Sequence, residues 1–330
     1  MTEQSARLKR QWLYIPFAVA AVIVFAYYLL WRAGAGQMRS AVADWVGDQR
    51  SAGFAVEHGA IKADGFPFFL RIHIDDADIV SPDGWRWRTD SLSLDALPYD
   101  LNKLIFSPKG EQVIRVEGSG EWRINAGDLR ASIANDAKRG WVFAMNIGDT
   151  TATRDDGARL TLSSLIFDLA PDVSDPTTFT LILAAEQADA AIDGETYSLS
   201  QLQTVASVSK AHLFSSNDNG AQWRSGGGAL TITGFFVDLE GTQLSASGEI
   251  GLDPDNHPAG VVTAEIENPA GLTRMLGKTG ALTHNEAEAA AAGLTLMAFA
   301  GGGKIAAPIE LTGGEAQIAG IKIADLPKVE

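Results

Sequence analysis

Residues 12–31, WLYIPFAVAAVIVFAYYLLW, run for twenty positions without a charged side chain. As an α-helix such a stretch rises roughly 30 Å, the thickness of a bilayer's hydrocarbon core. Trp12 and Tyr14 stand at one end of it, and Tyr27, Tyr28 and Trp31 at the other. Amphipathic rings in those places belong at the two headgroup levels. The chain is therefore expected to begin in a membrane and to hold the rest of its length at one face. A cleaved signal peptide is the competing reading, with Ala33-Gly34-Ala35 as a small-residue site for a peptidase. A signal core is usually about 7–15 residues, so the length and the double aromatic belt favour an uncleaved anchor.

Arg7, Lys9 and Arg10 precede the span, whereas Arg32 and Arg39 after it are diluted by Asp44 and Asp48. That bias predicts a cytoplasmic N-terminus (residues 1–11) and an exported body. The chain has no cysteine. An exported domain of this kind has no disulfide framework, which suits a Gram-negative periplasm and an inner-membrane location. The formal net charge is −15, and the segment 1–39 is basic, so the body is more acidic still. Nucleic acid is thereby disfavoured as a partner, because phosphate binding needs clustered Lys and Arg.

After the span, Met38, Ala41, Val42, Trp45, Val46 and Gln49 follow 3/4 spacing and predict a separate amphipathic helix over about 37–51, within a juxtamembrane segment 32–53, ended by Gly53. Trp45 is expected either at the membrane interface or as a cap on the next core. From residue 54 the period becomes two. Leu70, Ile72 and Ile74 alternate with Arg71, His73 and Asp75, and similar runs recur around 92–94, 160–162, 179–183, 230–232, 244–246, 262–266, 309–311 and 321–323. Turn pairs such as Asp64-Gly65, Asp83-Gly84, Lys109-Gly110, Asp156-Gly157, Asp193-Gly194 and Glu240-Gly241 punctuate them. The expected fold class is mainly β: a transmembrane helix, then a large curled antiparallel sheet or roll over 54–330 with a few short helices. Those helices are expected at 98–106, 269–277 and 284–299, the last opened by a Thr283/Glu286 capping pair. The segment 198–214 is ambiguous. The stretch 215–228, rich in Gly, Ser and Asn, is the expected junction between subdomains.

Several patterns resemble sites and are better read as structure. Asp75, Asp76 and Asp78 lack the Gly-centred loop and distal Glu of a calcium site. Asp253, Asp255 and His257 sit in a Pro-flanked turn. The five histidines are scattered, and no nucleophile elbow or phosphate loop occurs. Trp85-Arg86-Trp87-Arg88 reads as a two-faced strand rather than a base-stacking platform. The expectation is no enzyme, no cofactor and no metal. Phe66, Pro67, Phe68 and Phe69 break the alternation with four apolar residues in a row. Phe66, Phe68 and Phe69, with Trp45, are the candidate lipid- or membrane-contact residues, and a plug for the β-core is the alternative.

GFPFFLRI (65–72), WRWRTDSLSLDALPYD (85–100), the anchor and the β-rich body together resemble the bacterial domain of unknown function 2125 family, typical of alphaproteobacteria. The order GEIGLD (248–253), AEIENPAGLTRML (264–276), an alanine-rich helix and APIELTGGEAQIAGIKIADLP (307–327) is similar to the end of AsmA-like envelope proteins. The resemblance implies an inner-membrane anchor, a periplasmic β-body and non-enzymatic work on membrane lipid or envelope assembly. A structural module with a sealed core that docks a periplasmic protein is the alternative. An apolar sheet face open along its length would favour the first, and a sealed core with one exposed apolar patch the second.

Overall fold

The computed structural model describes residues 14–192, 194–214, 220–268 and 284–329. Trp12, the helix expected over 269–277, the cap expected from Thr283 and Asp193 of one turn pair lie outside the described residues. The chain is mainly β. It forms two compact units, the first ending at Glu121 and the second starting at Trp122. Residues 220–228, the described part of the expected junction, lie inside the second unit.

The first unit opens on α1 (Ile15–Ser51), a single helix of 37 residues. It is long and apolar enough to cross a membrane. The expected anchor and juxtamembrane helix are thus one element. Gly34 and Gly36 weaken a helix by about 1 kcal/mol each relative to Ala but do not stop it. Gly34 also has a packing reason: a Cβ there would come within 3.0 Å of Leu70 Cδ1. Gly53, at φ +93°, follows the helix end as expected.

A stripe of Trp31, Ala35, Met38, Val42 and Val46, at steps of four and three, is the inward face of α1. That phase places Val46 inside and leaves Trp45 47 % exposed. Ala35, Met38, Trp31 and Val42 pack on a sheet of β1 (Ala55–Glu57), β2 (Ile61–Asp64), β3 (Leu70–Val80), β4 (Arg86–Leu97) and β5 (Asp100–Val116). Strands β1 and β2 share one edge of β3, and β3, β4 and β5 follow antiparallel. Leu70, Ile72, Ile74, Leu94 and Ala96 form its buried core.

Two expectations fail in this sheet. Residues 98–106 are not a helix: Leu97 pairs with Asp100 across a tight tip, and β5 runs on from there. Leu104 and Phe106, two apart, join the core, which is a strand's period and not a helix's. Lys109-Gly110 is not a turn but a bulge inside β5, where the register with β4 shifts and Gly110 takes φ +79°.

The second unit is one antiparallel run of β6 (Gly120–Ala126), β7 (Leu129–Asp136), β8 (Gly140–Ile147), β9 (Thr150–Arg154), β10 (Arg159–Pro171), β11 (Phe179–Ile192), β12 (Glu195–Val208), β13 (Leu230–Leu239), β14 (Thr242–Leu252), β15 (Pro258–Glu267), β16 (Lys304–Thr312), β17 (Glu315–Ile318) and β18 (Ile321–Asp325). From β10 to β18 each strand pairs with the next, while β7, β8 and β10 form a second continuous series. The ambiguous segment 198–214 is mostly β12, with a 3-10 turn at Ala211–Leu213. The short α2 (Ala221–Ser225) buries Trp223, whose indole donates to the Ser209 carbonyl at 2.7 Å.

The helix expected near the C-terminus is present as α3 (His284–Ala300). Its Leu294, Ala298 and Met297 pack onto Ile266, Ile305, Ala316, Ile318 and Ile323. This is the core of the second unit's C-terminal end.

Candidate functional site

Two surfaces stand out, one in each unit. The first is the loop between β2 and β3. Gly65 makes it possible: at φ +96° a Cβ would come within 2.7 Å of the Phe69 carbonyl oxygen. The N–H groups of Phe68 and Phe69 both donate to the Gly65 carbonyl, at 3.0 and 2.9 Å, and close a tight turn. The anchor completes it. Tyr27 donates its hydroxyl to the Pro67 carbonyl at 2.5 Å, and Trp31 donates its indole N–H to the Phe69 carbonyl at 2.7 Å.

Phe66 sits among Tyr27, Tyr28 and Trp31, with ring centroids 6.0, 5.5 and 5.8 Å away. Three of the predicted belt residues and one predicted contact residue therefore meet in one aromatic cluster, with preferred tilted and edge-on geometries. The end of the β-core below is filled by Leu70, 1 % exposed, and not by a phenylalanine. Phe68 is 73 % exposed. Trp45 belongs elsewhere, about 21 Å further along α1 from Trp31. Tyr14 is exposed at the helix start.

Ion pairs anchor the base of this loop. Arg71 forks onto Asp95 at 2.5 and 2.9 Å, one residue beyond Leu70. At the far end of the same strands Arg86 forks onto Asp78, and this hydrogen-bonded pairing holds the Asp78 carboxyl below the usual range. Two more of these side chains are occupied structurally: Asp75 pairs with Lys62 at 2.7 Å, and Trp87 donates to Gln112 at 3.2 Å. In the second unit Asp253 accepts the N–H groups of Asp255 and His257, both at 2.9 Å, as a turn does.

The second surface was not singled out from sequence. Antiparallel register places paired residues on one face of a sheet. Leu169, Phe167 and Leu165 of β10 stand opposite Phe143, Met145 and Ile147 of β8 and opposite Leu181, Leu183 and Ala185 of β11. The same face continues through Leu202 and Ala206 of β12, Val237, Phe235 and Ile232 of β13, and Leu244 and Ala246 of β14. It then passes through Ile266 and Ala264 of β15 to Ile305 and Ala307 of β16.

Only its last part lies under α3, where Ile266 is 1 % and Ile318 0 % exposed. From β7 to β13 the large apolar side chains are half-buried, and among the described residues no helix packs on them. Phe143 and Phe167 touch edge-on at 5.8 Å. The reverse face carries Asp168, Gln203, Thr231, Ser245 and Glu265, with Ile182 and Val205 exposed among them. The signal in the sequence was the alternation Leu129-Ala131-Ile133 and Phe143-Met145-Ile147.

Residues 31–327 match the family DUF2125, described as an uncharacterized protein conserved in bacteria. The chain belongs to this family. The DUF2125 match begins at Trp31, the residue that ties the anchor to Phe69, so most of the apolar segment lies before it. No curated protein and no solved structure matches the chain.

Proposed function

We propose that this DUF2125 protein is a single-pass inner-membrane protein whose periplasmic β-body handles lipid without catalysis. Its apolar face on β7–β13 is the surface that holds acyl chains. One observation carries the reading: ten or more large apolar side chains share a face that stays half-buried, and among the described residues no helix packs on it. A contiguous apolar face that is only half-buried marks a surface on which something can bind. The lining is aliphatic and aromatic, which fits chains rather than polar ligands. The anchor keeps such a surface within reach of its lipid source.

The test uses the full chain in its membrane. A photo-reactive benzoylphenylalanine replaces Phe167 on the apolar face or Ile182 on the reverse face, in cells whose lipids carry radiolabelled acetate. A labelled lipid adduct at 167 and none at 182 is the expected result. Equal labelling, or none at 167, defeats the reading.

The alternative, docking of a periplasmic protein, has one observation in its favour. The outer stripe of α3 exposes Leu296 (71 %) and Phe299 (87 %) above a sealed core. Photo-crosslinking from Phe299 to a protein, with no lipid adduct at 167, would support it.

A further inference from the structure

We propose that the Phe66–Phe69 loop and the neighbouring tip between β4 and β5 are immersed in the bilayer that α1 crosses, at the face carrying the body. The proposal rests on the reading of α1 as a membrane span. The partner is the headgroup and upper acyl region of that leaflet, not a protein and not a single bound lipid.

The first support is a length. The hydrogen bonds from Tyr27 and Trp31 fix the loop alongside the last turn of the apolar segment, not beyond it. If the loop stood in water, the hydrocarbon would be left with residues 15–26 of α1, a rise of roughly 18 Å against a core of roughly 30 Å. Counting through Trp31 brings that to roughly 26 Å. Lys9, Arg10 and Gln11 prevent the segment from sliding the other way. Matching the bilayer therefore brings Phe66–Phe69 down into it.

The second support is the hydrogen bonding of the loop. Irregular backbone is tolerated at membrane depth only where its polar groups are satisfied within the protein. The N–H groups of Phe68 and Phe69 donate to Gly65, and the carbonyls of Pro67 and Phe69 accept from the anchor's Tyr27 and Trp31. Pro67 has no N–H to satisfy. No charge occurs from Gly65 to Leu70, and Asp64 and Arg71 on either side set the limit of immersion.

The third support is the next hairpin. Leu70 pairs with Ala96, so the residues after Ala96 lead to a tip at the level of the loop. That tip exposes Tyr99 (81 %) and Leu101 (44 %), and Asp100 between them accepts the Asn102 N–H at 3.0 Å, so the tip reaches the headgroups and not the hydrocarbon. A tyrosine there, beside phenylalanines on the adjoining tip, is the order expected of a headgroup boundary above hydrocarbon.

The chain has no cysteine, so single labels are clean. Four full-length variants, Phe68→Cys, Tyr99→Cys, Val22→Cys and Ile182→Cys, carry a nitroxide in vesicles of equal parts phosphatidylethanolamine and phosphatidylglycerol. Relaxation by oxygen reports lipid, and relaxation by an aqueous nickel chelate reports water. Val22 lies mid-span and Ile182 is exposed on the reverse face of the second unit's sheet, which makes them the two references. The expected order of oxygen preference is Val22, Phe68, Tyr99, Ile182, with the oxygen-to-nickel ratio at 68 at least threefold above that at 182. A label at 68 as open to nickel as the one at 182, with 22 in lipid, overturns the immersion and leaves the anchor intact. A label at 22 open to nickel overturns the anchor reading, and the immersion with it.

Discussion

The second unit holds two stretches of the same apolar face in two different states. Beneath α3, Ile266, Ile305 and Ile318 are nearly inaccessible, and Leu294 of the helix is fully buried. A few strands away, Phe143, Phe167, Leu183 and Phe235 have the same chemistry and the same alternation, yet stay only half-buried. The difference is the covering layer. Where a helix supplies one, the face becomes a core and contributes stability. Where, among the described residues, no helix does, the side chains stay half-buried and the face stays available. The first unit belongs with the covered case, since α1 lies on β3 through Ala35 and Met38.

That contrast breaks most visibly at the covered end. Leu294→Ala should cost about 2–5 kcal/mol, as for a fully buried leucine, read as a lower urea midpoint of the full chain in detergent micelles. A loss under about 1 kcal/mol would mean that α3 is not a structural cover.

Next in size is Gly34→Val, which forces methyl groups against Leu70. Overpacking of this kind costs about 1–3 kcal/mol. Amide exchange along β3 should rise as its cover lifts, and unchanged protection there would remove the packing role given to Gly34.

Phe167→Ala, in the uncovered stretch, should change stability by only about 1 kcal/mol, in line with partial burial. It should nevertheless remove most of the lipid captured from position 182's neighbours on the apolar face, such as a photo-probe at Leu183. A stability loss as large as that of Leu294→Ala would show that the face is a sealed core after all.

The smallest effect lies on the outer face of the first sheet. The Asp78 carboxyl is held low by Arg86, so its contribution is present above about pH 4, the unfolded value, and fades as pH falls through the lower folded value. Both partners are partly exposed, so the contribution is at most about 1 kcal/mol. Asp78→Asn should flatten that part of the acid-unfolding curve, and an identical curve would sink the assignment.

Strand after strand was legible because one face is apolar and the other polar: Leu70-Ile72-Ile74 and Val262-Ala264-Ile266 alternate and both lie in strands. The tip at Pro98-Tyr99 was not, because Leu101, Leu104 and Ile105 fall by chance at helical spacing while the pairing of Leu97 with Asp100 is a tertiary choice. The continuity of α1 was hidden for a similar reason. The change from an all-apolar segment to 3/4 spacing reads locally as two elements, and only the approach to Leu70 shows why Gly34 belongs inside one helix. Of the candidate site, the aromatic residues were visible as residue types, but their meeting at Phe66 depends on the loop folding back onto the anchor. The apolar face was invisible as a surface, since it exists only once the register sets strand beside strand.

The unbroken α1 also has a mechanical meaning. A flexible tether would let the domain swivel above the bilayer like a buoy on a chain. Here the helix passes from the apolar segment to the sheet with no joint, and hydrogen bonds from Tyr27 and Trp31 pin it to the loop. It acts as a rigid spar, about 55 Å long. If α1 crosses a bilayer, as proposed, any lean of that spar is carried over into the pitch of the first sheet.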